Sequence, residues 1–244
     1  MDVRTVLRRN SAARAIREIL EMLSETSSSP YKTIVKFMKE LNLFYVIDVG
    51  ANVGQFGLDI RRYGFSGPII SFEPVDASFR ILKQTAKNKQ PWDVLHLALG
   101  SNESKKIINV SGNAGLSSSF LKVSPTHLEN FPESQTVGTQ QIMVSTLDKQ
   151  LRILEIDPGS LLLKIDVQGY EDKVLEGARR SLSKIPLCYL EISIVPLYEG
   201  EMSLIDVLKI LDGAGHQIID VRRGVKAVDG TLLQIDVLSK LRVG

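Results

Sequence analysis

The chain has 244 residues, 43% apolar and 24% charged, with 30 basic and 28 acidic side chains for a net charge of +2. That length buries enough surface to fold without disulfides or metals, and the even charge balance excludes a broad electrostatic footprint for nucleic acid. The single cysteine, Cys188, excludes an internal disulfide framework, and its apolar surroundings predict a buried thiol. A reducing, cytoplasmic location is expected, because the N-terminus lacks the apolar core of a secretion signal and no apolar run is long enough to span a bilayer.

In chain order, apolar residues at helical spacing predict a basic helix over 3–23, and a second helix is expected over 31–41. Residues 1–42 are read as a helical appendage that packs on the main domain, 43–244, or builds a homodimer contact. From there strands and helices alternate. Strands are expected at 44–49, 68–72 and 93–97, with helices at 55–63 and 76–89, the latter capped by Asp76. Strands at 107–110 and 141–144 flank a Ser/Asn/Gly/Pro-rich stretch, 111–138, whose length suits a binding loop or lid. A helix at 147–156, a strand at 161–165, a helix at 170–183, a strand at 187–192 and a helix at 203–214 follow. Strands at 217–221 and 232–238 finish the chain, with a turn at Asp229-Gly230. This alternation predicts an α/β fold around a parallel, doubly wound sheet.

The first strand runs into a glycine turn, VIDVGANVGQFG over 46–57. Gly50 can take backbone angles closed to other residues, and the carboxyl ends of parallel strands are where such sheets bind ligands. A dinucleotide turn needs G-x-G-x-x-G. Counted from Gly50, Asn52 and Gln55 occupy the second and third glycine positions, so a pyrophosphate does not fit. Asp48 is expected beneath the turn, accepting loop N–H groups or facing a positive ligand group. Glu73, followed by Pro74, ends the second strand, where a carboxylate can accept both hydroxyls of a ribose. That arrangement points to adenosine, without choosing a reaction.

These motifs, with SFEP (71–74), SGNAGLSSSF (111–120) and LLLKIDVQGYEDKVLEGA (161–178), resemble the FkbM family of S-adenosylmethionine-dependent methyltransferases over roughly residues 44–240. The K-I-D-x-x-G-x-E pattern is the most specific of them. The resemblance implies a seven-stranded Rossmann-like sheet whose last strand is antiparallel. It also implies S-adenosyl-L-methionine as cofactor, and a small-molecule or glycan hydroxyl as acceptor, on a sugar, glycolipid or secondary metabolite. By the same resemblance Asp48, Gly50, Asn52 and Gly54, with Gln55 and Phe56, line the methionine half of the cofactor. Glu73 and Pro74 take the ribose, Leu99 lies in the segment flanking the adenine, and Asp166 stands where donor meets acceptor.

Methyl transfer to oxygen requires removal of the hydroxyl proton. Of three histidines, His96 reads as a strand residue and His216 as a surface turn residue. His127, in the long loop, is either exposed to solvent or directed at the acceptor. Asp166, Glu171 and Glu191 fall at or just past the ends of predicted strands. Glu171 is alternatively an N-terminal helix acid. Glu191, among apolar strand residues, needs a partner or a job, and Lys164 in the neighbouring strand is one candidate partner. No metal is assigned. A non-catalytic scaffold that binds an adenosine cofactor, and an NAD-dependent oxidoreductase, are the alternatives; the missing glycines speak against the second.

Overall fold

The structure, a computed structural model, describes residues 29–242. The predicted basic helix over 3–23 lies outside them. The first described helix, α1 (Pro30–Glu40), carries proline in its first turn, where a missing N–H costs nothing. Its buried stripe Ile34, Val35 and Met38 joins Val46, Phe56 and Ile60 in one apolar cluster.

The remaining elements are β1 (Tyr45–Val49), α2 (Gln55–Arg62), β2 (Ile69–Phe72), α3 (Asp76–Lys87), β3 (Trp92–Leu95), β4 (Ala98–Leu99), β5 (Ser104–Ser111), α4 (Pro125–Asn130), β6 (Thr136–Ser145), α5 (Leu147–Ile153), β7 (Leu161–Ile165), α6 (Glu171–Gly177), β8 (Leu187–Ser193), α7 (Leu204–Gly213), β9 (His216–Arg223) and β10 (Gln234–Leu241). Seven strands form one sheet in the order β3-β2-β1-β7-β8-β10-β9. The first five run parallel, and β10 is antiparallel to both of its neighbours. This is the expected doubly wound, Rossmann-like sheet of seven strands, with the last strand of the chain antiparallel. β7 reads LLLKI because both of its faces are covered, and all five residues are buried.

Strands β4, β5 and β6 form a second, three-stranded sheet. Residues 107–110 and 141–144 belong to this sheet, and pairing extends them to eight and ten residues. The third strand ends at Leu95, two residues before the expected end, and the chain resumes pairing at β4 in the other sheet.

Two helix ends also differ from expectation. Asp76 does not cap α3; Val75 holds the cap position, and the Asp76 carboxylate lies 3.0 Å from His96 Nε2. The helix expected over 170–183 stops at Gly177. Its exit is set by the Asp148 carboxylate, which accepts the backbone N–H groups of Arg180 and Ser181, each at 3.0 Å. No helix among the described residues is long and apolar enough to cross a membrane.

Register explains a polar row across this apolar sheet. Asp48 on β1 lies opposite Ser71 on β2 and Lys164 on β7, and Glu191 on β8 lies opposite Asp236 on β10. All five stand near the carboxyl ends of the parallel strands, where the cavity opens.

Candidate active site

The glycine turn is held by close contacts. Gly50 has φ +74°, and a Cβ there would stand 1.9 Å from the Asp166 carbonyl oxygen, so only glycine lets the first turn pass the end of β7. Gly54, at φ +96°, begins α2. The floor under α2 is Trp92, whose indole leaves no room for a side chain at Gly57. Trp92 Nε1 donates to Ser71 Oγ (3.0 Å), and Ser71 donates to Asp48 Oδ2 (3.2 Å).

Asp48 is fully buried, and the Lys164 ammonium lies 3.1 Å from its Oδ1. The expectation that Asp48 accepts loop N–H groups gives way to this ion pair. Lys164 also donates to the Gly50 carbonyl at 2.9 Å and approaches Asp166 Oδ2 at 3.6 Å. Burial alone would push the ammonium down, but Asp48 and Asp166 outweigh it and raise it above the ordinary lysine value. Lys164 is therefore the partner of Asp48 and Asp166; the expected Lys164–Glu191 pair does not form.

A cavity of about 460 Å³ opens at this edge. It lies within the roughly 300–1,000 Å³ of small-molecule sites. Gly50, Asn52, Gln55, Phe56, Glu73, Pro74, Leu99, Asp166, Glu191 and His127 all line it. Asp48 and Gly54 lie outside this lining and support it from beneath. Glu73 accepts the Asn52 N–H on Oε2 and the Val75 N–H on Oε1, both at 2.8 Å, so it braces the first turn from the second strand. Burial pushes its carboxyl up to about 7.

Glu171 does not line the cavity. Its Oε1 accepts the N–H groups of Val167 (3.0 Å) and Gly169 (3.2 Å), and burial raises it to about 8. It fixes the 166–170 turn from behind.

Glu191 accepts on one oxygen, Oε2, from Gln168 Nε2 (3.0 Å) and Gln234 Nε2 (2.9 Å). Burial, then Asp166, Asp236 and Glu171, raise it well above the ordinary carboxylate value. Asp236, also on the wall, is pushed up to about 6 by burial.

His127 is buried, not exposed. It lies in α4, with Nε2 3.1 Å from Ser134 Oγ and 3.5 Å from Ser117 Oγ. Asn113 Nδ2 donates to both hydroxyls, at 2.9 Å for Ser117 and 3.2 Å for Ser134. The segment is seated by Ser124, whose N–H donates to Leu197 O and whose hydroxyl donates to Pro196 O. Burial lowers the His127 imidazole below its ordinary value. His216 is buried as well: Nε2 lies 3.1 Å from Leu182 O and Nδ1 3.2 Å from Ser239 Oγ, so it is a core residue rather than a surface one. Cys188 is a buried thiol, and His96 is exposed.

Sequence reading passed over Gln168, Gln234, Asp236, Tyr189 and Tyr31, which also line the cavity. Tyr31 comes from α1, so the N-terminal appendage reaches the site. For Gln168 the one local signal was Gly169 beside it: a glycine shortly after a strand end marks a turn, and both residues have positive φ, +58° and +89°. Among the described residues no group of three or more His, Cys, Asp or Glu is arranged to hold a metal ion.

Residues 48–218 match the family model of the methyltransferase FkbM domain. A 2-O-methyltransferase, NoeI, from Sinorhizobium fredii is 26% identical over 217 residues, spanning 82% of this chain and 85% of that protein. Among solved structures, the magnesium protoporphyrin IX methyltransferase of Synechocystis is 13% identical with TM-score 0.46, covering 96% of this chain and 85% of that one. A putative O-methyltransferase of Klebsiella pneumoniae is 9% identical with TM-score 0.48, covering 99% and 94%.

Proposed function

The chain belongs to the FkbM-domain family of methyltransferases, which use S-adenosylmethionine, and from that premise we infer that it methylates a hydroxyl of a sugar, glycolipid or polyhydroxylated metabolite. One observation carries this reading. A wall of hydroxyls and amides, Asn113, Ser117, Ser118, Ser119 and Ser134 with His127, stands in one cavity with the carboxylates Asp166 and Glu191.

The residues fit the cofactor. The Gly50 cradle admits no side chain, Glu73 stands at the end of the second strand, and Phe72, Leu97, Ala98 and Leu99 supply apolar surface for a purine. Bound S-adenosylmethionine supplies an electrophilic methyl group on a sulfonium. Asp166, fixed by Lys164 and Gln168, presents negative charge at the end of β7 that favours a cationic group. Glu191 takes the hydroxyl proton. Both amide donors occupy its Oε2, so Oε1 is the oxygen assigned to the acceptor. The segment 113–119 and His127 orient the remaining hydroxyls, and the 2-O-methyltransferase relative agrees with an oxygen acceptor.

The test is transfer of labelled methyl from S-adenosylmethionine to panels of oligosaccharides, glycolipids and hydroxylated metabolites, with amine-bearing analogues alongside. Label on hydroxylated acceptors supports the reading. Label confined to amines overturns it.

Glu73 gives a pH prediction. To accept two ribose hydroxyls it must be ionised, yet burial holds it up near 7. Cofactor binding therefore favours the deprotonated form. S-adenosylhomocysteine affinity is expected to rise with pH through that value, with proton release seen as a dependence of the calorimetric heat on the ionisation enthalpy of the buffer. For stability the sign is opposite. A carboxylate whose folded pKa is raised favours the fold below its unfolded value, and this contribution is lost as pH rises toward 7. An affinity flat from pH 5.5 to 8.5 contradicts the assignment of Glu73 to the ribose.

A further inference from the structure

The two carboxylates of the cavity are joined by one side chain, Gln168. Gln168 Nε2 donates to Asp166 Oδ1 at 2.7 Å and to Glu191 Oε2 at 3.0 Å. Its Oε1 accepts from the Tyr198 hydroxyl at 2.7 Å. Its backbone carbonyl accepts from Ser119 Oγ, also at 2.7 Å. The amide has one workable orientation. Turned over, its oxygen would face the oxygens of two carboxyl groups, with no N–H for either.

We propose that Gln168 is a positioning residue that holds Asp166 and Glu191 at one spacing, keeps Glu191 in the form that accepts a proton, and is locked in turn by Tyr198. The proposal rests on the hydroxyl-methylation reading for its catalytic meaning, though not for its test. The environments of the two carboxylates differ. Asp166 has the Lys164 ammonium at 3.6 Å. Glu191 receives neutral amides, while the carboxyl groups of Asp166 past the end of β7, Asp236 from β10 and Glu171 from α6 disfavour its charged form, opposed by Lys164 on β7; Tyr198 and Tyr189 are further titratable neighbours. Divergent environments within a carboxylate pair separate a fixed anion from a proton acceptor. The two N–H bonds from Gln168 counter part of that repulsion, because a donor to the charged form favours it.

Tyr198 extends the lock toward the acceptor wall. Its ring packs edge-on against His127 with centroids 5.2 Å apart, and its hydroxyl lies 3.3 Å from the Ser117 carbonyl. An acceptor that shifts the 113–134 segment would thus reach the carboxylate pair through Tyr198 and Gln168.

The experiment is a titration of Glu191 by carbon-detected NMR, on protein with ¹³C-labelled glutamate carboxyls saturated with S-adenosylhomocysteine. The resonance is identified by its loss in Glu191→Gln. In Gln168→Met, without the donors, the midpoint is expected to rise by about one to two pH units, as loss of a hydrogen bond to a charged group implies. Tyr198→Phe, which keeps the amide and frees its orientation, should move it in the same direction by less. Cofactor affinity should hold in both, and the acid limb of the kcat profile should move with the midpoint. A midpoint unmoved in both variants overturns the proposal, and Tyr198→Phe alone decides it if Gln168→Met does not fold. No acceptor enters the NMR arm, so its outcome is separable from failure of the hydroxyl-acceptor reading.

Discussion

Glu191→Gln is expected to lower kcat by about 10²–10⁴-fold, the range for loss of a positioned general base. Affinity for S-adenosylhomocysteine should stay near wild type, because Glu191 stands away from the Glu73 end of the cavity. The substitution keeps the shape of the side chain and keeps one oxygen for the Gln168 and Gln234 donors. What it removes is the oxygen that takes a proton. The pH profile carries the sharper signature. A base with a raised pKa gives a kcat that climbs with pH through that value, and the variant should lose this limb. Burial and the neighbouring carboxylates Asp166, Asp236 and Glu171 set the raised value. A variant with unchanged kcat, or a lowered kcat with the limb intact, excludes Glu191 as the base and returns the role to His127 or Asp166.

Lys164→Met is expected to cost about 3–5 kcal/mol, the usual result of removing one partner from a buried ion pair. At roughly 2–4 °C per kcal/mol for a chain of this size, Tm falls by about 6–20 °C. The loss leaves Asp48, fully buried, with one hydroxyl donor, Ser71. It also removes the donor to the Gly50 carbonyl, so the glycine turn loosens along with the core. The raised pKa of Lys164 fixes the pH window. A cation held above its ordinary value contributes stability throughout the neutral range and loses it only as pH climbs past the ordinary lysine value. The double variant Asp48→Asn, Lys164→Met removes both charges and should recover much of the loss, since replacing a buried pair costs far less than orphaning half of it. Differential scanning fluorimetry across pH 6–9 reads all three proteins. A Tm for Lys164→Met equal to wild type contradicts the structural role given to the pair.

The glycine turn, Glu73 and the terminal Asp166 were legible in the sequence because each sits at a strand end, and strand ends follow from local pattern. Residue partnership was not. Lys164 and Glu191 lie in consecutive strands and look like a pair. Register places Lys164 opposite Asp48 on one side and Tyr189 on the other, and Glu191 two positions further along. Asp236 stands beside Glu191 only because β10 inserts antiparallel between β8 and β9. A pattern of apolar residues carries neither register nor insertion. The solvent-exposed alternative for His127 failed for a related reason. The 111–138 stretch has the composition of an open loop, yet β5 and β6 shorten it from both ends, and its middle is seated on the loop after β8 through the Val123–Tyr198 bridge. Polar residues there are buried by partners distant in sequence. His216 was judged by the glycine before it, while its burial comes from Ser239 and Leu182, neither of them local.

The most direct measurement is a crystal structure of the chain with S-adenosylhomocysteine. Ribose hydroxyls on the Glu73 carboxylate, with the sulfur turned toward Asp166 and Glu191, is the predicted result. A ribose bound away from Glu73, or a sulfur facing away from the two carboxylates, would contradict the account.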